Sequence, residues 1–147
     1  KALSLDPSAK NNLNLTPLHI LAFPLSREEQ TEEQIYKKIN LLLEAGASID
    51  EFDCNGNTPL HLALKKGSFF VSKVLIKKGA NVKLRTCSSN KDTMIFCALK
   101  DTNYEDEQVL FLCELLINAG AEINKRTTAL IARYSKDRPL LKDILKI

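Results

Sequence analysis

The chain repeats itself, and that limits what it can fold into more than any other feature. Three segments close on one pattern: Leu41-Leu42-Leu43-Glu44-Ala45-Gly46-Ala47, Leu75-Ile76-Lys77-Lys78-Gly79-Ala80 and Leu115-Leu116-Ile117-Asn118-Ala119-Gly120-Ala121. Gly46 and Gly79 lie 33 residues apart, and Gly79 and Gly120 lie 41 apart. A second pattern precedes each closing segment. It reads Thr16-Pro17-Leu18-His19-Ile20-Leu21, then Thr58-Pro59-Leu60-His61-Leu62-Ala63, then a degenerate Thr93-Met94-Ile95-Phe96-Cys97-Ala98. A fainter copy begins near Thr127.

The marked residues have local jobs. A threonine hydroxyl accepts an orphan backbone N–H and so starts a helix. Proline is pre-set for the first helical turn. Gly46, Gly79 and Gly120 each follow an apolar-periodic stretch, where a left-handed residue stops a helix. Asp53-Cys54-Asn55-Gly56 reads as a turn. Each unit is then helix, link, helix, glycine stop and extended turn. No unit can bury its apolar face alone, so neighbours must stack.

On these residues the chain resembles the ankyrin repeat family, whose signature is a 33-residue period with T-P-L-H-x-A. The resemblance covers most of the chain and implies an all-α repeat solenoid of antiparallel helix pairs with short β-hairpin fingers. The expected units are 12–49, 50–82, 83–124 and a shortened cap at 125–147, with Pro139 opening its last helix. The chain starts at Lys1 rather than Met, so it is expected to be part of a longer protein. The resemblance also implies a concave face, made of fingers and first helices, that binds other proteins. His19 and His61 are expected to tie one unit to the next finger through backbone hydrogen bonds. Phe96 replaces that histidine, which predicts a weaker junction.

The units depart from the family pattern by two insertions, around 24–34 and 100–108. The first carries two capping-box patterns, Ser26-Arg27-Glu28-Glu29 and Thr31-Glu32-Glu33-Gln34. The second helix of the first unit starts at one of them and buries Ile35, Ile39, Leu42 and Leu43.

Mapping the family's variable positions gives Phe52, Cys54, Asn57, Lys65 and Lys66 as partner-binding residues of the second unit. The corresponding residues are Leu15 and Phe23 in the first unit, and Asp92 and Lys100 in the third. Phe52 in a groove is a candidate anchor. Phe23 is either an anchor or packing beneath the insertion. Phe69 is expected in the core. Phe70 sits at a normally polar position, so it is exposed or the register is shifted.

Charge alternates along the chain. Residues 24–57 carry −5, residues 58–91 carry +8, residues 92–124 carry −6 and residues 125–147 carry +5, with a net +3 overall. The stripes either neutralise one another, at about 0–1 kcal/mol per exposed pair, or present a basic band to an acidic partner. Lys73, Lys77 and Lys78 are expected on the outer face of the second helix, away from a concave-face partner.

These features exclude much else. There is no P-loop, GxGxxG, GxSxG, HExxH or CxxC. Four cysteines and two histidines lack zinc spacing. Reduced thiols are expected at Cys54, Cys87, Cys97 and Cys113, although a Cys/His nucleophile pair is not ruled out by spacing. No apolar run is long enough for a membrane span. The expectation is a non-catalytic, monomeric module without cofactor, in the cytoplasm, recruiting a protein partner with an acidic patch. It suits a bacterial or viral effector acting in a host cytoplasm. The alternatives are a substrate-recruiting domain of a multidomain enzyme, or an anionic-ligand binder through the basic second unit. Nucleic acid is disfavoured by the flanking acidic units.

Overall fold

The computed structural model describes residues 6–23, 30–86, 91–100, 104–136, 139, 142 and 143. Their helices are α1 (Pro17–Leu21), α2 (Glu32–Glu44), α3 (Pro59–Lys66), α4 (Phe69–Lys77), α5 (Met94–Leu99), α6 (Asp106–Asn118) and α7 (Lys125–Tyr134). No strand occurs among the described residues. The expected all-α solenoid is therefore what the chain forms.

The helices begin where side chains can receive their orphan N–H groups. Thr58 and Thr93 accept from the N–H of His61 and Phe96, at 3.3 and 3.2 Å. Of the two capping boxes in the first insertion, the second is used. Thr31 accepts from Gln34 N–H at 3.3 Å, and Gln34 Oε1 accepts from Thr31 N–H at 3.1 Å. The first box lies outside the described residues. α2 buries Ile35 and Ile39, with Leu42 and Leu43 partly buried against the core. The fainter copy near Thr127 starts three residues earlier than its threonine suggests. Asn124 is the N-cap, and its Oδ1 accepts from both the N–H and the hydroxyl of Thr127. The last helix expected at Pro139 falls largely outside the described residues.

The three glycine stops share one geometry. Gly46, Gly79 and Gly120 have φ of 102°, 90° and 97°. After each, the next N–H bonds back into the last turn: Ala47 to Leu42, Ala80 to Leu75 and Ala121 to Leu116, at 2.9–3.1 Å. A left-handed residue there satisfies carbonyls that the helix end would leave orphaned.

Helices α1, α3, α5 and α7 pack side by side in one layer, and α2, α4 and α6 in a second. The layers meet on Leu18, Leu60, Leu64, Leu75, Ile95, Leu112, Leu116 and Ile131, all essentially inaccessible. Each such side chain contributes about 1.5–3 kcal/mol on burial. Central α3 is covered on three sides and buries Pro59 through Leu64, whereas terminal α7 buries only Thr127 and Ile131. That contrast is what a one-dimensional stack requires.

One packing element lay hidden in the acidic insertion at 100–108. Tyr104 is buried; its hydroxyl donates to the Ala63 carbonyl at 3.0 Å and lies 3.3 Å from Ser72 Oγ. It plugs the link between α3 and α4 from the neighbouring unit. Burial pushes its phenol up to about 12, so it stays a neutral donor.

Candidate protein-binding face

Successive units are joined by their histidines. His19 Nδ1 accepts the Thr16 N–H at 3.1 Å, and His61 Nδ1 accepts the Thr58 N–H at 3.1 Å. With Nδ1 occupied as an acceptor, the ring proton sits on Nε2. That N–H points to the next finger: to the Asn57 carbonyl at 3.0 Å from His19, and to the Leu84 carbonyl at 3.2 Å from His61. Both rings are fully buried. Burial, aided by the nearby Lys65 charge, lowers the His61 pKa to about 4. Burial also lowers that of His19. Both are therefore neutral structural links at physiological pH.

The third junction is built differently. Phe96 offers no hydrogen bond, so the next unit reaches toward it instead. The Arg126 guanidinium stacks 4.6 Å from the Phe96 ring centroid and bonds Asp92 Oδ1 at 2.9 Å. Thr93 and Thr127 hydroxyls meet at 3.1 Å. The weaker tie predicted from Phe96 is offset by an ion pair, a cation–π contact and a hydroxyl bridge.

The candidate partner-binding residues divide into exposed and buried groups. The finger at 53–57 is stiff: Asp53 Oδ1 accepts the N–H groups of Asn55 and Asn57, each at 2.9 Å. It holds Phe52 and Cys54 exposed, Phe52 at 37%. The Cys54 N–H ties this finger to the preceding one through Leu13 O at 3.0 Å. Lys65, Lys66 and Lys100 are exposed at the ends of α3 and α5. Leu15 and Phe23 are half-buried against the core, with the Lys66 ammonium 5.5 Å from the Phe23 ring.

Asn57 and Asp92 are buried and already engaged. Asn57 Oδ1 accepts from Lys65 Nζ at 2.8 Å, and Asp92 holds Arg126. Lys65, Asp92 and Lys100 nevertheless converge. With Phe96 and Cys97 they line one depression of about 240 Å³ between α3 and α5. Phe96 and the neighbouring Arg126 were not among the partner-binding residues read from the sequence. The broken T-P-L-H motif marked the first. An arginine one unit beyond Asp92 could have marked the second.

The outer face is separate. Lys73 pairs with Glu32 of α2 at 2.8 Å and lies over Phe111 of α6, and Lys78 bonds the Tyr36 hydroxyl at 3.0 Å. These lysines lie on the outer layer, as expected, and tie its helices together. Phe69 is half-buried, touching Phe70 and Phe111, while Phe70 is exposed in the expected register. The stripes do meet in pairs: Lys10–Glu51, Lys73–Glu32, Arg85–Glu122 and Arg126–Asp92.

Burial pushes the Cys97 and Cys113 thiols up to about 12, and a thiol is a poor nucleophile until ionised. Cys54 is a free thiol; Cys87 lies outside the described residues. Among the described residues no three His, Cys, Asp or Glu side chains gather to hold a metal, and no helix is long and apolar enough to cross a membrane.

A family model of ankyrin repeats, three copies in length, matches residues 1–86 and again 31–127. The chain belongs to the ankyrin repeat family. It is 32% identical over 124 residues to NF-kappa-B inhibitor alpha of Gallus gallus, covering 78% of this chain and 33% of that protein. It is 35% identical over 88 residues to Ankyrin repeat and KH domain-containing protein 1 of Homo sapiens, covering 60% of this chain and 3% of that protein. It is 33% identical over 88 residues to the Poly [ADP-ribose] polymerase tankyrase of Caenorhabditis elegans, covering 52% and 4%. The chain thus spans a third of the length of one of these relatives and a few per cent of the others. Ankyrin repeats are in general protein–protein interaction modules and typically non-catalytic.

Proposed function

We propose that the chain holds a protein partner along the face formed by its fingers and first helices, and performs no chemistry itself. One observation carries the reading. Phe52, Lys65, Lys66 and Lys100 are exposed side chains on a scaffold whose fingers and helix starts are fixed by hydrogen bonds. A rigid scaffold holding an aromatic beside cations suits recognition, because little entropy is lost on binding. The exposed cations favour a partner surface that is acidic. The relative named as an inhibitor of NF-kappa-B is consistent with binding a protein as the mode of action.

The chain would act as the recruiting part of a larger protein. In a bacterial or viral effector the partner would be a host protein. In a multidomain enzyme it would be the substrate; one relative is named as a polymerase. The test is affinity capture with wild type and a Phe52→Ala, Lys65→Glu, Lys66→Glu variant, with thermal melts alongside. Proteins enriched only by wild type, with melts nearly equal, support the reading. Equal capture by both moves the binding surface elsewhere.

A further inference from the structure

The third junction differs from the first two in a way that creates a site. Where a histidine closes the junction, its ring is sealed, at 0% exposure for both His19 and His61. Phe96 is buried too, at 8% exposure, but its junction leaves a depression beside the ring. That depression is lined by Lys65 from α3, by Lys100 at the end of α5, and by Asp92, Phe96 and Cys97. Arg126 stacks on the ring from the next unit. Among the described residues, Lys65, Lys100 and Arg126 stand around Phe96 with the Asp92 carboxylate.

That carboxylate is already matched. Asp92 is paired with Arg126 at 2.9 Å. Lys65 and Lys100 remain. Lys65 Nζ bonds only a neutral amide oxygen, that of Asn57, at 2.8 Å. Lys100 Nζ lies 5.9 Å from the Phe96 centroid. Neither has a carboxylate partner among the described residues. Two ammonium groups beside an aromatic ring form an anion-receiving recess. Its volume suits one side chain and not a folded surface.

We infer that this depression is the subsite that receives a single aspartate or glutamate side chain of the protein partner, its carboxylate between Lys65 and Lys100 and its methylenes on Phe96. This deepens the recognition reading and rests on it. Charge-assisted hydrogen bonds are roughly twice as strong as neutral ones, so the subsite would set specificity for an acidic residue at one position of the partner.

The test uses the 147-residue chain and a small probe, N-acetyl-glutamate N-methylamide, with the glutamine analogue and inorganic phosphate as controls. Amide chemical shifts are followed by NMR. The expected result is saturable shifts confined to residues near Lys65 and Phe96–Lys100, with much smaller shifts from the glutamine analogue. A Lys65→Met, Lys100→Met variant loses both charge-assisted contacts and should bind the glutamate probe about a hundredfold more weakly. Shifts spread equally over Lys37, Lys77 and Lys83, or matched by phosphate and glutamine, would overturn the subsite. The wild-type comparison of probes stands even if the variant folds poorly. Partner capture through Phe52 without a glutamate response would sink the subsite alone. A glutamate response without any capture would leave the subsite standing and count against the wider reading.

Discussion

Acidification should loosen this stack before most of its carboxylates are protonated. His61 holds its proton on Nε2, and a second proton would have to enter at Nδ1. That nitrogen already faces the Thr58 N–H at 3.1 Å, so the charged ring loses a bond and gains a repulsion. Burial first, and then the nearby Lys65 charge, oppose the second proton; the unfolded chain leaves the ring in water and titrates near 6.5, against about 4 in the folded state. The folded pKa is the lower one. Stability is therefore full above about pH 6.5 and falls as pH drops toward 4. Linkage over that gap amounts to about 3 kcal/mol in the limit, and about 2 kcal/mol between pH 7 and pH 5. His19 acts in the same direction. Urea unfolding followed by circular dichroism at pH 7 and pH 5, at fixed ionic strength, reads the difference directly. The midpoint should fall with little change in slope. His61→Phe, which copies the natural Phe96, should lower stability at pH 7 and remove more than half of the pH dependence. Equal midpoints at the two pH values, or an undiminished dependence in that variant, would refute the buried neutral histidine and the junction built on it.

Other perturbations separate the remaining interactions. Leu64→Ala empties a fully buried position and should cost about 2–5 kcal/mol in urea unfolding. Tyr104→Phe should cost about 1–2 kcal/mol, because it removes the bond to the Ala63 carbonyl and the contact with Ser72 Oγ. Gly79→Ala meets no atom within 4 Å but must adopt φ +90°, so a loss of about 1–2 kcal/mol is expected from backbone strain alone. Lys73→Ala, with a half-exposed Glu32 as partner, should change stability by less than about 1 kcal/mol. A much larger value would mean that the charge stripes carry the fold.

Helix starts and stops were readable because each depends on one residue type at one place. Thr58, Thr93 and the glycines at 46, 79 and 120 all act within a single turn of chain. The layers were readable because the repeat period places each helix beside its counterpart in the next unit. What was not legible depends on partners far along the chain. Tyr104 lies in the insertion at 100–108, where nothing in the repeat pattern marks it, and its hydroxyl is held by a carbonyl 41 residues away. Asn57 and Asp92 looked like surface positions, yet they are engaged by Lys65 and Arg126, 8 and 34 residues away. Phe96 was visible as a broken motif. The depression beside it also needs Lys65 of α3 and Lys100 at the end of α5, while Arg126 of α7 stacks on the ring.

The central claim is that the finger and first-helix face holds a protein. Amide hydrogen exchange of the chain, free and bound to a captured partner, tests it most directly. The account predicts added protection at 52–57, at 65–67 and around Lys100, with α2 and the outer side of α4 unchanged. Protection confined to α2, α4 and α6, with the fingers exchanging as in the free chain, would contradict it.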